Sequence, residues 1–300
     1  MTPLRVLFLF LDGVGIGSDD PDRNPFLVAR LPRLRGLFGG ALPTLRAPAL
    51  LGPDAAAFPI DARLGVSGTP QSGTGQTALL TGENAALVFG RHFGPWTPVP
   101  LRPLLEERSL LKRAADRSLE TVFANAYPRS WSAGAARRPA APPLAAQAAG
   151  LLTRHEEELA QGSAVASEIT NDGWRRFLGY AQVPEVSAWE AGGNLSRLAS
   201  AARLTFFAHY ATDQAGHRGG LEGAVSALEK VDAFLGGVLD HLAPDTLLLL
   251  ASDHGNVEDM TAGHSLNPAL GVLKGPDAVT RSREIASLLD VTPAVLRWLE

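Results

Sequence analysis

Three carboxylates and three imidazoles occupy comparable places in this chain. Asp12 closes an apolar run at residues 6–11. Asp213 and His217 follow a second run, 204–210, in Asp213-Gln-Ala-Gly-His217. Asp253 and His254 follow a third, 246–252, in Ser252-Asp-His-Gly-Asn256, and His264 lies ten residues beyond His254. Oxygen and imidazole donors without thiols suit Zn²⁺ or Mn²⁺. Acids crowded together without cations would repel, so cations are the natural resolution. Taken singly, an Asp after a strand is most often a cap or turn residue, and a lone His a surface or satisfied core residue. The joint pattern carries the metal reading.

A further window can do chemistry. Thr69-Pro-Gln-Ser-Gly-Thr-Gly-Gln-Thr77 runs into Ala78-Leu-Leu-Thr81 and reads as a Gly-rich loop entering a helix. A helix start offers free N–H groups and a positive dipole end, which suits phosphate. A hydroxyl there can serve as a nucleophile when a metal lowers its pKa. Ser72 and Thr74 are both candidates. The bland alternative is that they only cap the helix. Arg175 and Arg176 are candidates for gripping a substrate carboxylate or phosphate, although an exposed basic helix face is the commoner meaning of such a pair. His92, His155 and His209 carry no pattern.

The elements that must position these groups are legible around them. The three apolar runs read as strands buried on both faces, as in a parallel sheet covered by helices. Between the second and third, residues 221–242 place Val225, Leu228, Val231, Leu235, Val238 and Leu242 at helical spacing. Strand, helix, strand is a βαβ unit, whose ligands sit beyond the carboxyl ends of the strands. Asp290-Val-Thr-Pro293 reads as a capped helix start. Strand-like runs mostly vanish between about 95 and 200, and residues 130–150 are rich in Ala, Pro and Arg, as in a loop or linker. The expected organisation is an α/β core of three αβα layers from residues 1–95 and 200–300, with an inserted cap at 96–199.

Composition excludes several classes. With 300 residues, the chain has room for such a core and a small insert. A net charge of -4 provides no basic field for nucleic acid or an anionic membrane. There are no cysteines, which removes disulfides, thiolate metal sites and a Cys nucleophile. The apolar run at residues 6–11 is too short to span a membrane, and a cytoplasmic setting is expected.

Together these residues resemble the alkaline phosphatase superfamily, on the branch of cofactor-independent phosphoglycerate mutase and phosphopentomutase. Leu11-Asp-Gly-Val-Gly15 is similar to the opening metal motif. Gln71-Ser-Gly-Thr-Gly75 is similar to the mutase nucleophile loop, in a register that selects Ser72. Asp213-x-x-x-His217, Ser252-Asp-His-Gly-Asn256 and Gly263-His264 with Asn267-Pro268 resemble the remaining ligand motifs, and Leu289-Asp-Val-Thr-Pro293 the closing helix. The resemblance implies two divalent ions, Mn²⁺ or Zn²⁺. Asp213, His217 and His264 would hold one; Asp12, Asp253, His254 and the Ser72 oxygen would hold the other. It further implies a phosphoserine intermediate on a small phosphorylated metabolite.

The departures are specific. Gln76 stands where the mutases have His, and the mutase cap motifs are missing from the insert. Sulfatases of the superfamily use a Cys-derived formylglycine, which this chain cannot form. The expectation is net phosphate release. Phosphomutase activity, or a non-catalytic metal-binding or phosphate-sensing role, are the alternatives.

Overall fold

Side chains alternate across a strand, so a strand buried on both faces feeds two cores at once. The first strand does this. In the computed structural model, which describes residues 3–131, 138–261 and 263–300, β1 (Arg5–Leu11) sends Val6, Phe8 and Phe10 into one apolar cluster and Leu7, Leu9 and Leu11 into the other. Six more strands complete the sheet: β2 (Leu50–Leu51), β3 (Ala55–Ile60), β4 (Thr121–Phe123), β5 (Leu204–His209), β6 (Thr246–Ser252) and β7 (Ala269–Lys274). Their order is β2-β3-β7-β6-β1-β5-β4. The run β6-β1-β5-β4 is parallel, while β7, β3 and β2 pair antiparallel at the other edge. All three apolar runs expected as buried strands are therefore neighbours in the parallel half.

Helices cover both faces. One layer includes α1 (Ser72–Thr81), α2 (Ala141–Ala148) and the closing helix α6 (Leu288–Trp298); their Leu79, Leu80, Leu144 and Val295 join the cluster around Phe8. The other holds α3 (Ala188–Ser200) and α5 (Gly220–His241), whose Leu195, Leu228 and Leu235 join the cluster around Leu9. The short α4 (Ala211–Arg218) links β5 to α5. This is the three-layer αβα architecture. Phe8, Phe206 and Phe10 lie within the first cluster, with Phe8 and Phe206 edge to face at 4.9 Å. Truncating either ring costs about 3–5 kcal/mol.

Several expectations change in detail. The closing helix begins earlier than Asp290: Ser287 is its cap, and Asp290 is the box partner, its Oδ2 accepting from Ser287 N at 2.8 Å. The stretch 130–150 expected as a loop contains α2, a buried helix whose prolines sit in its first turn, where no N–H is needed; residues 132–137 lie outside the described residues. The segment 96–199 expected as an insert contributes core material. β4 pairs with β5, Leu105 and Leu111 join the cluster around Phe8, and α3 lies within the segment. A small separate cluster, Ala126, Leu159, Ala164, Ala166, Trp174 and Val183, packs apart from both cores.

Candidate metal centre

Leu11 pairs with His209 on one side and Ser252 on the other, so Asp12, Tyr210 and Asp253 emerge side by side at the carboxyl edge. At β1, Gly13 turns the chain at φ +67, and a Cβ there would stand 2.6 Å from Asp213 Oδ1; only glycine tolerates both. Beyond β5 the chain enters α4 at once instead of the expected loop. That explains the spacing of Asp213 and His217, which fall on one helix face. Beyond β6, Asp253 and His254 are fully buried. The loop carrying His264 folds back, its Nδ1–H donating to Pro70 O at 3.0 Å.

The N-terminus of α1 closes the site. Ser72 is its first residue, and its hydroxyl lies 2.9 Å from His254 Nε2. Gly75 permits this approach: a Cβ there would meet Asp253 O at 2.9 Å. Thr74 is also buried, but its hydroxyl is turned to the carbonyls of Gln71 and Phe93. Geometry thus separates the two hydroxyls that the residues alone left open.

The imidazoles are oriented through their far nitrogens. His254 Nδ1–H donates to Gly255 O and His264 Nδ1–H to Pro70 O, so both turn Nε2 towards the carboxylates. Fixing a ring through one nitrogen readies the other as a ligand. His264 Nε2 is 2.9 Å from His217 Nε2 and 3.3 Å from Asp213 Oδ1. His254 Nε2 is 3.4 Å from Asp12 Oδ1 and 3.6 Å from Asp253 Oδ2. Two groups of ligand atoms result, each within 4.8 Å: Asp213, His217 and His264; and Asp12, Asp213 and His254. Asp213 belongs to both, and Asp253 flanks the second.

Each of the two buried acids has one oxygen satisfied and one not. Asp12 accepts from Gln76 Nε2 at 3.0 Å through Oδ2, and Asp253 from Gly13 N at 3.2 Å through Oδ1. Their other oxygens, Asp12 Oδ1 and Asp253 Oδ2, are buried and have no hydrogen-bond donor. Burial pushes both carboxyls up, and their mutual repulsion drives Asp253 well above its ordinary range. For Asp213 burial is outweighed by His264, His254 and Asn256, which hold it down to about 2. For His254 burial opposes charge, but Asp253 and Asp12 lift it to about 10. Orphaned buried carboxylate oxygens beside aimed imidazoles fit divalent cations.

Sequence reasoning missed the supporting residues. Glu258 is fully buried and accepts from Gly15 N, Asn256 N, Ser265 Oγ and Asn267 Nδ2, which ties together three loops of the site. Asn256 Nδ2 donates to Asp213 Oδ1 at 2.6 Å. Asn256 stood in the quoted Ser252-Asp-His-Gly-Asn256 motif without a role, and the only signal for Glu258 was proximity to the Asp253-His254 pair. Gln76 also receives Ala141 N on its Oε1 at 3.3 Å. A cleft of about 990 Å³ opens over the centre, lined by Asp12, Ser72, Tyr210, Asp213, His217 and His264 among others. Arg175 and Arg176 do not line it. Arg175 donates to Ala181 O and Val183 O of its own loop, and Arg176 faces solvent. Arg218, which the sequence reading passed over, does line it.

Comparison with known proteins bears on this centre. Residues 182–300 match the family described as the Metalloenzyme superfamily. A 2,3-bisphosphoglycerate-independent phosphoglycerate mutase of Rhodopirellula baltica is 36% identical over 129 residues, covering 39% of this chain and 24% of that protein. Its counterpart in Desulforudis audaxviator is 37% identical over 95 residues, covering 29% and 19%. The chain thus spans about a quarter or less of the length of these mutases. In fold, a protein of Pyrococcus horikoshii is similar at TM-score 0.58 and 13% identity, over 100% of this chain and 97% of that one. The alkaline phosphatase of the Antarctic bacterium TAB5 is similar at TM-score 0.51 and 13% identity, over 100% and 99%.

Proposed function

We propose, for a chain that takes its place among the metalloenzymes of the alkaline phosphatase superfamily, that it transfers phosphoryl groups from a small phosphorylated metabolite through a phosphoserine at Ser72. The observation that carries this reading is the Ser72 hydroxyl, at the buried start of α1, 2.9 Å from His254 Nε2 and flanked by two carboxylate–imidazole groups. Asp213, His217 and His264 would hold one divalent ion, and Asp12, Asp253, His254 and Ser72 Oγ the other. Such ions supply positive charge to phosphoryl oxygens and ease ionisation of the serine hydroxyl. The donor set suits Mn²⁺ or Zn²⁺.

The residues' own work follows from their positions. Ser72 Oγ bonds to phosphorus as the ester P–O bond breaks; the serine proton leaves and the departing alkoxide gains one. Water then attacks phosphorus, the P–Oγ bond breaks, phosphate leaves and the serine is reprotonated. The α1 N-terminus favours the anion at Ser72. The Nδ1–H bonds of His254 and His264 keep their rings aimed, and Asn256 steadies Asp213.

Water is the acceptor we favour. A mutase must shield its phosphoenzyme until the substrate reorients. Here the His217 side chain is 43% exposed, and of residues 96–199 only Ala140 lines the cleft among the described residues. We read the cap as the small cluster within 126–183 rather than all of 96–199. A cytoplasmic setting is part of this reading; among the described residues no helix is long and apolar enough to cross a membrane. The test is phosphorus NMR of the Mn²⁺-loaded protein with 3-phosphoglycerate and ribose 1-phosphate. Free phosphate is expected. Clean 2-phosphoglycerate or ribose 5-phosphate makes the chain a mutase, and inertness towards a broad phosphometabolite panel makes it a binding protein.

A further inference from the structure

The helix that carries two of the candidate ligands presents a second row of side chains to the same cleft. Asp213 and His217 are four residues apart on α4. Gln214 and Arg218, each one position later, form the adjacent row, turned about 100° round the axis. Both rows line the cleft. Arg218 is the one Arg or Lys among the described residues that does so, and it is exposed. Neither its guanidinium nor the Gln214 amide bonds to any described residue. Arg175, from the 96–199 segment, is instead consumed by its own loop.

We propose that Arg218, with Gln214 beside it, binds a second anionic group of the substrate, so that the preferred substrates are phosphomonoesters that also carry a carboxylate or another phosphate. The assignment rests on the phosphoryl-transfer reading of the same cleft. Two features separate this subsite from the reacting phosphoryl group. Ser72 and His254 lie buried at the floor, whereas Arg218 stands at the exposed rim. Five residues of helix from Asp213 to Arg218 rise about 7.5 Å, the scale of a short phosphorylated acid. Apart from the candidate ligands His217 and His264, the rest of the lining offers an anion the acids Asp12 and Asp213, which repel it, or uncharged residues such as Thr69, Gln71, Tyr210, Pro95 and Ala140, so Arg218 is the strongest anion partner there. Arg is also the side chain whose planar fork matches a carboxylate or phosphate with paired hydrogen bonds.

The experiment compares two probes of similar size, 3-phosphoglycerate and glycerol 3-phosphate, which differ by one carboxylate. Their binding to the Mn²⁺-loaded Ser72→Ala protein is measured by calorimetry, and their turnover by the wild type as kcat and KM. The parent is expected to prefer 3-phosphoglycerate. Arg218→Ala should cut that preference about tenfold or more, chiefly in KM, and Arg218→Lys should recover part of it. An unchanged preference, or an equal loss on both probes, overturns the proposal. Failure of the Mn²⁺-loaded wild type to bind or turn over either probe overturns the Arg218 assignment, whereas the phosphoryl-transfer reading is overturned only by inertness towards the broad phosphometabolite panel.

Discussion

Asp253→Asn should stabilise the metal-free protein and abolish most of what metal adds. Asp253 is fully buried, and its Oδ2 has no donor. An asparagine keeps an oxygen for Gly13 N and replaces the orphaned oxygen with an amide that can donate towards Asp12. A buried acceptor left without a donor costs about 1–3 kcal/mol. In a chain of this size each kcal/mol moves Tm by about 2–4 °C, so the chelator-treated variant should melt roughly 5 °C above the wild type. The sign depends on pH. Asp253 has its folded pKa raised, by burial first and Asp12 second. Its contribution to folding is therefore fully present below the ordinary carboxylate pKa and is lost as pH rises through the folded value. The gap between variant and wild type should widen from acid towards neutral pH. Added Mn²⁺ should reverse the ranking, because an ion at a hundred times its Kd contributes about 2.7 kcal/mol per site, and the variant loses one ligand. The assay is thermal melting with chelator and with Mn²⁺ at pH 5 and pH 8. A variant that melts below wild type in chelator, yet gains as much as wild type from Mn²⁺, would refute the reasoning.

Gln76→Met removes the amide that holds Asp12 Oδ2 at 3.0 Å while keeping the volume; affinity for the second ion should fall about tenfold to a hundredfold by calorimetry, and an unaltered isotherm would show that Asp12 needs no such support. His209 is buried, which lowers its pKa from the ordinary 6.5 to about 4. The unfolded chain therefore takes up a proton that the folded one refuses, and about 3 kcal/mol is lost as pH falls from roughly 6.5 to 4. His209→Gln, which can still donate to Ser167 O, should flatten that part of the urea-midpoint profile, and an identical slope would assign it to other groups. Thr74→Ala should leave most turnover intact, because its hydroxyl faces carbonyls and not His254; inactivation without loss of fold would move the nucleophile two residues on.

The candidate metal centre was legible as a cluster because buried parallel strands write continuous apolar runs, and the polar residues at their ends share one sheet edge. β1, β5 and β6 are such strands, and Asp12, Asp213 and Asp253 follow them in space as in sequence. The helical stripe of α5 was legible for the same reason, since Leu228 and Leu235 face one core. The middle of the chain was not. β4 has only three residues, too few to show a period, and its place is fixed by pairing with β5. The Ala and Pro content of α2 resembles a linker locally; burial against α1 makes it a helix. Glu258 and Asn256 act through contacts between loops that no sequence spacing reveals. The Arg175-Arg176 pair looked like an anion grip because charge is visible in a sequence, whereas the carbonyls that occupy Arg175 are not.

Trapping the phosphorylated protein tests the central claim most directly. The Mn²⁺-loaded chain is quenched in acid during turnover of a phosphorus-labelled metabolite, digested, and its labelled peptide is mapped by mass spectrometry. The account predicts one phosphate, on Ser72, absent from the Ser72→Ala variant and from chelator-treated protein. Label on Thr74, or label that survives in Ser72→Ala, would contradict it.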